Sequence, residues 1–400
     1  MNNTNKLRVL ITYIESGMGH IVSARAIADA LSKKYSDTFE VIEKHILRDS
    51  DSKTLQKYER FLVSEVRKHS ILPGYCALQM ASMYLFAPKN TLKFVQKCVF
   101  RKQTNDLINE YKKIAPDIIV CTHYFSLFAA VEYRNKCAPN TIVVNYCPDN
   151  NVHGWWDNRV DKLYTNTPKA TSDALKNKFA PDKILEVFYP IRDSVSNVTE
   201  SKEYYRRKFD LPQDKFTIVV ANGLYAFRKT KRICNKIMKS DLPITLCILA
   251  SNSEKIKSYF ESLIPNTKPN ITLKVFGYLE NAPELYAAAD LFLTKGGPNA
   301  ILDSVSVGTP ILVDFCASPI ERSTTKLFVN EKGCGVRISS AKKIKEAIER
   351  YINNPSLLDQ YKSATCYFDK SKNGAIAIAD DIYEISKAKF ELKSDSDALV

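Results

Sequence analysis

Short, continuous apolar runs alternate with helical periods along almost the whole chain, and this alternation restricts the fold more than any other feature. Residues 8–14, 117–122, 141–146 and 162–165 form one set of runs. Residues 216–221, 244–249, 271–276, 291–294 and 311–313 form a second. Runs of this kind suit parallel strands covered on both faces. Between them apolar residues recur at helical spacing, as where Ala24, Ile27, Ala28 and Leu31 share one face. Alternating β and α units predict an α/β, doubly wound fold. A chain of 400 residues accommodates two such sheets better than one. The break falls near Tyr189-Pro190-Ile191, before the polar stretch 194–203, which gives domains over 1–192 and 193–400. A helical insertion at about 53–105 interrupts the first domain. An amphipathic helix over 375–389 is expected to return to that domain, with 393–400 frayed beyond it.

The formal net charge of +14 asks for an anionic partner: nucleic acid, an anionic membrane surface or a phosphorylated substrate. Nucleic acid is not expected, because no zinc finger, aromatic-interleaved recognition motif or Gly-Lys-[Ser/Thr] phosphate loop is present. Ten cysteines without a Cys-x-x-Cys pair or zinc-ligand spacing read as reduced thiols of a cytoplasmic protein. No secretory leader pattern and no uncharged apolar run of about 18 residues is visible. The insertion mixes Phe61, Met83, Tyr84, Phe86 and Phe94 with Lys57, Arg60, Lys89, Lys93, Lys97, Arg101 and Lys102. It reads either as helices completing the core or as a membrane-surface and lipid-acceptor element, where cations meet headgroups and aromatics enter the acyl boundary.

Three turns carry candidate chemistry. The run 291–294 enters Lys295-Gly296-Gly297-Pro298-Asn299 and then a helix stopped by Gly308 and Pro310. Glycines permit close backbone approach, and the helix start offers free N–H groups and a positive dipole end, which suits a diphosphate. Asp303, one turn in, is placed to reach a ribose diol, or is a first-turn acid stabilised by the helix dipole. The first run ends in Glu15-Ser16-Gly17-Met18-Gly19-His20 before a helix. A neutral imidazole there can accept a proton, or His20 fills the loop. The third turn is Pro148-Asp149-Asn150-Asn151-Val152-His153-Gly154-Trp155-Trp156, which holds both tryptophans of the chain. Aromatic faces suit sugars or lipid, and equally a core. The spacing of His20, Asp149 and His153 matches no metal-ligand signature.

The stretch from Gly277 to Gly335 resembles the C-terminal domain of the family that holds the monogalactosyldiacylglycerol synthases, the processive diacylglycerol glucosyltransferases and the peptidoglycan UDP-GlcNAc transferase. Thr294-Lys295-Gly296-Gly297-Pro298 is similar to that family's Thr-Lys-x-Gly-Pro, and Gly17-Met18-Gly19-His20-Ile21-Val22-Ser23-Ala24 to its Gly-Gly-Gly-His-x-x-Ser-Ala. The resemblance implies the glycosyltransferase B fold, two Rossmann-like domains facing across a cleft. It implies an inverting hexosyltransferase that uses a UDP-sugar without a cofactor or catalytic metal. It also implies a lipid acceptor, most simply diacylglycerol, and peripheral association with the inner face of a membrane. On this basis His20 and Asp149 are catalytic, with Asp149 orienting His20 or acting as base itself. Gly19, His153, Asn222, Gly223, Tyr278, Leu279, Lys295, Gly296, Gly297, Pro298, Asn299, Asp303 and Glu321 bind the donor. Met83, Tyr84, Phe86, Trp155 and Trp156 face acceptor or membrane. Departures occur at Met18, at Asp303 where the family has Glu, at Ile320 where it has Gln, and after Gly223, where Leu224 and Tyr225 fill a glycine-rich turn. Arg228 or Lys229 is then left to neutralise phosphate. Two other enzymatic readings keep the fold: transfer to a polyprenyl-linked glycan, polysaccharide or small natural product, and UDP-sugar epimerisation. A basic nucleotide- or nucleic-acid-binding protein without catalysis is the reading from another class.

Overall fold

The computed structural model describes residues 6–15, 18–71, 95–223 and 226–390. Two compact units emerge. One takes residues up to 67, 95–192 and the C-terminal stretch from 372; the other takes 68–71 and 193–371.

The sheet of the first unit has six parallel strands: β1 (Leu7–Tyr13), β2 (Phe39–His45), β3 (Ile118–Cys121), β4 (Ile142–Tyr146), β5 (Lys162–Thr165) and β6 (Ile184–Glu186). Their order is β2-β1-β3-β4-β5-β6. β1, β3 and β4 are the apolar runs legible in the sequence, and their residues are almost all buried. One face of the sheet packs against the helix Tyr124–Cys137 and the other against α1 (Met18–Lys34) and the terminal helix Gly374–Phe390. The terminal helix buries Ala375, Ile378, Ala379 and Ile382 in this unit. Each buried isoleucine is worth roughly 1.5–3 kcal/mol. A side chain at Gly374 would collide with the carbonyl of Phe188, so the helix starts where only glycine fits.

The second unit also has six parallel strands: β7 (Phe216–Ala221), β8 (Ile244–Leu249), β9 (Ile271–Phe276), β10 (Leu291–Thr294), β11 (Ile311–Val313) and β12 (Gly335–Arg337). Their order is β12-β11-β10-β7-β8-β9. Its core joins Ile218, Val220, Leu246, Ile248 and Leu293 of the sheet to Ile233 and Ile237 of one helix and Ile344 and Ile348 of another.

The strands that sequence periodicity does not reveal are β2, β6 and β12. All three lie at sheet edges, where one neighbour suffices and polar residues interrupt the run. Both sheets grow outward in two directions from their first strand. The switch point lies between β1 and β3 in the first unit and between β7 and β10 in the second. Ligands of open α/β sheets bind beyond the carboxyl ends of strands at such points.

Within the insertion, the helix Lys53–Ile71 lays Leu55 into the core and packs the Tyr58 ring, tilted, against Phe125 at 4.6 Å and Phe100 at 5.5 Å. The candidates Met83, Tyr84 and Phe86 lie outside the described residues.

Candidate active site

At the switch point of the first unit, β1 leads into α1, whose first turn carries Gly19 and His20. The side chain of Met18 and residues 16–17 lie outside the described residues. His20 Nδ1 is 2.5 Å from the carbonyl oxygen of Thr122, just after β3. A carbonyl only accepts, so Nδ1 carries a proton, and in the neutral ring Nε2 is the nitrogen with the lone pair. The Thr122 hydroxyl donates in return to the carbonyl of His20 at 2.9 Å. The two turns flanking the switch point are therefore tied together through this histidine.

The next residue, His123, caps the helix Tyr124–Cys137 by accepting the Phe125 N–H at Nδ1, 3.2 Å away. Its ring meets that of His20 edge-on at 4.8 Å and stacks on Tyr124 at 4.3 Å. Tyr124 in turn lies 5.3 Å from His153 and 5.8 Å from Trp155. Burial pushes His123 well below the usual imidazole range, and the neighbouring His20 and His153 add to the shift. Burial, reinforced by His20, pushes His153 down to about 4. Desolvation raises the Asp149 carboxyl, and nearby His20 partly offsets it. His20, His123, His153 and Asp149 thus form one electrostatically linked group in which His123 and His153 stay neutral at ordinary pH. Trp155 is half-buried, whereas Trp156 is 3% exposed and part of the core. The expectation that both rings face acceptor or membrane is corrected for Trp156.

Among the described residues, Glu15, His45 and Glu59 place metal-type donor atoms within 4.8 Å of one another. They do not fit a metal. His45 Nδ1 faces the Arg48 N–H at 3.1 Å and Nε2 faces the Glu15 N–H at 3.2 Å. In one neutral tautomer Nε2 is protonated, and in the other its lone pair is taken by Glu15.

In the second unit, β7 leads into Asn222-Gly223, with Gly223 at φ +75, a conformation suited to glycine. β10 leads into the turn Lys295-Gly296-Gly297, and the helix Pro298–Ser306 follows, with proline in its first turn and no side chain capping it. Its first N–H groups are open to an anion. Lys295 Nζ pairs with Glu321 Oε1 at 2.6 Å, and Glu321 Oε2 accepts the Ala317 N–H at 2.5 Å. A β-carbon placed on Gly296 would sit 2.7 Å from the carbonyl oxygen of Glu321, so the turn closes only with glycine. One on Gly223 would meet Lys295 Cε at 3.5 Å, which shows how near the two turns lie. Pro298 and Asn299 are half-buried in the first helical turn, and Leu279 is half-buried beside Tyr278, which is 68% exposed. Asp303 is buried in the second turn of the helix.

Two groups here escaped sequence reasoning. Asp314, directly after β11, is fully buried and accepts from Asn222 Nδ2 at 3.1 Å. Burial raises its carboxyl to about 7, against the opposing pull of Lys229 and of backbone and Asn222 donors. Lys229 Nζ donates to the Asp314 carbonyl at 3.0 Å and lies 4.3 Å over the Phe315 ring, so it is already engaged. His123 escaped likewise. Both stand within two residues of the carboxyl end of a strand, and that position alone is the signal that finds them.

Residues 20–191 match the family model for monogalactosyldiacylglycerol (MGDG) synthase, and residues 227–375 match the glycosyltransferase family 28 C-terminal domain. A processive diacylglycerol beta-glucosyltransferase of Bacillus licheniformis is 21% identical over 95% of each chain. Monogalactosyldiacylglycerol synthase 2 of Arabidopsis thaliana is 22% identical over 97% of this chain and 83% of its own. The fold is similar to that of Acinetobacter baumannii MurG, with TM-score 0.61 and 12% identity over 95% and 99% of the two chains. It is also similar to Anabaena HepE in complex with UDP-glucose, with TM-score 0.55 and 11% identity over 96% and 100%.

Proposed function

We propose that this chain, which belongs to the monogalactosyldiacylglycerol synthase family and carries a glycosyltransferase family 28 C-terminal domain, moves a hexose from a UDP-sugar to diacylglycerol. The observation that supports the mechanism is the Nδ1–H bond from His20 to Thr122, which makes Nε2 of the neutral ring the nitrogen able to accept a proton. Nε2 takes the proton of the acceptor hydroxyl as that oxygen attacks the anomeric carbon. The C–O bond to the diphosphate breaks on the opposite face, so the product is a β-glycosyl diacylglycerol and UDP departs. Asp149 balances the imidazolium that forms, and neutral His123 and His153 do not add positive charge against it. In the second unit the open N–H groups at Pro298–Ser306 and the Lys295 ammonium stabilise the charge on leaving UDP. Tyr278 and Leu279 flank the base, and Asp303 and Glu321 hold hydroxyls of the ribose and the hexose.

The acceptor reaches the protein at a membrane surface. No helix among the described residues is long and apolar enough to cross a membrane. In its place, Phe61, Val63 and Val99 are exposed at 52%, 37% and 66%, interspersed with Lys57, Arg60, Lys97, Arg101 and Lys102. Apolar side chains ringed by cations suit the boundary of an anionic leaflet. The experiment is UDP release from UDP-glucose, UDP-galactose and UDP-GlcNAc, with and without vesicles containing diacylglycerol. Release that depends on diacylglycerol supports the proposal, and release indifferent to it argues for another acceptor or for epimerisation.

A further inference from the structure

The second unit holds a second concentration of positive charge. A cavity of about 410 Å³ is lined by Arg228, Lys229, Arg232, Ile233, Ser339 and Ala341. It lies between the start of the helix Phe227–Ile237 and the start of the helix Ala341–Asn353. Ser339 and Ala341 follow the edge strand β12, two strands away from β10 and its Lys295-Gly296-Gly297 turn.

Three features make this cavity a receptor for an anion. Arg228 and Arg232 stand one helical turn apart on the same face, and neither pairs with an acid among the described residues. Like charges at this spacing repel, so the helix gains nothing from holding them together. Arg337, at the end of β12, adds its charge to the surroundings of Lys229, and the acid facing Lys229 is Asp314, whose carboxyl burial raises to about 7 so that it only partly offsets that charge. The helix Ala341–Asn353 has Ser340 at its N-cap without a side-chain cap and no acid in its first turn, so its first N–H groups are unfilled on the same cavity. Paired guanidinium forks, a hydroxyl and an open helix start together match the oxygens of a phosphate group.

We infer that this cavity is a phosphate site distinct from the donor site, occupied by a phosphate group that comes either from a soluble compound or from a lipid headgroup. Its distinctness rests on the reading that the donor diphosphate sits at Lys295–Pro298. Lys229, which sequence reasoning offered to the donor phosphates, is instead the wall between the cavity and Asp314.

Calorimetric titration of the full chain with inorganic phosphate, in the presence of saturating UDP, tests the inference. One phosphate is expected to bind, and Arg228→Gln/Arg232→Gln to weaken it at least tenfold, while Arg232→Gln leaves UDP affinity unchanged. A parallel arm measures co-sedimentation with phosphatidylcholine vesicles with and without phosphatidic acid. Binding seen only on the phosphatidic acid vesicles, and lost in the double variant, supports the site with a lipid headgroup as its source. Equal phosphate binding by the double variant, displacement of phosphate by UDP, or binding in neither arm overturns it. If UDP itself fails to bind, the proposed function fails, and phosphate titration without UDP still decides the cavity.

Discussion

In the first unit the switch-point turns carry His20 and His123, and the turn after the adjacent β4 adds a third imidazole, a carboxyl and aromatic rings; in the second the switch-point turns carry glycines, a lysine paired with a glutamate from beyond β11, and open backbone N–H groups. The two sheets place these turns equivalently, beyond the carboxyl ends of the first strand and of the strand on its other side. Under the proposed mechanism the contents differ because the tasks differ. Moving a proton needs a group that can change its charge, so the first unit surrounds His20 with neighbours that stay neutral. Holding a diphosphate needs charge that does not change, supplied by a lysine and by helix-end dipoles.

This contrast can be broken at several points. The largest expected effect is in His20→Ala, which should lower turnover by about 10²–10⁴-fold, as for loss of a general base, and leave UDP affinity near that of the parent. Full turnover in that variant would remove His20 as base. Lys295→Met should do the reverse. It removes a charge-assisted contact worth roughly 1.5–3 kcal/mol, so UDP affinity should fall about ten- to a hundredfold in a calorimetric titration.

The pH dependence of stability sharpens the contrast next. Folded His153 takes up a proton at about 4, whereas the unfolded side chain does so near 6.5. The unfolded state therefore gains as pH falls through that window, and the first unit loses up to ~3 kcal/mol on acidification. His153→Gln should flatten that part of the profile in thermal unfolding. Asp314 acts in the opposite direction. It holds its proton to about 7 when folded, while an unfolded carboxyl releases it near 4. The stability this proton confers is present at acid pH and lost as pH rises to about 7. Asp314→Asn, which stays neutral, should raise the unfolding temperature at pH 8 by an amount equivalent to ~2–4 kcal/mol and leave it little changed at pH 4. An unfolding profile of the parent that falls on the same side of neutrality for both units would contradict the division.

The smallest effect belongs to Tyr278→Ala. The ring is 68% exposed and can contribute only stacking on the bound base, so UDP affinity should drop severalfold, about 1 kcal/mol.

Much of this architecture is legible in the sequence because buried parallel strands write themselves as unbroken apolar runs. Residues 118–121, 142–146 and 218–220 are buried throughout. Edge strands do not leave that trace: Phe39–His45 alternates buried, half-buried and exposed positions, and Gly335–Arg337 has a single fully buried residue. At the site, glycines and a histidine that begin a helix are local patterns, so Gly19-His20 and Lys295–Pro298 stand out. The tautomer of His20 does not, because it depends on a carbonyl 102 residues away. His123 and Asp314 acquire their character from burial and from neighbours that the sheets bring together, and nothing in their immediate sequence announces it. Trp156 shows the converse: a tryptophan in a loop read as a ligand-facing ring belongs to the core.

The measurement that tests the central claim most directly is identification of the lipid product by NMR after incubation with a UDP-hexose and diacylglycerol vesicles. The account predicts a β-linked glycosyl diacylglycerol, one released UDP per glycosidic bond formed, and about 10²–10⁴-fold less of both from His20→Ala. An α-linked product, or UDP release without any glycosylated lipid, would contradict it.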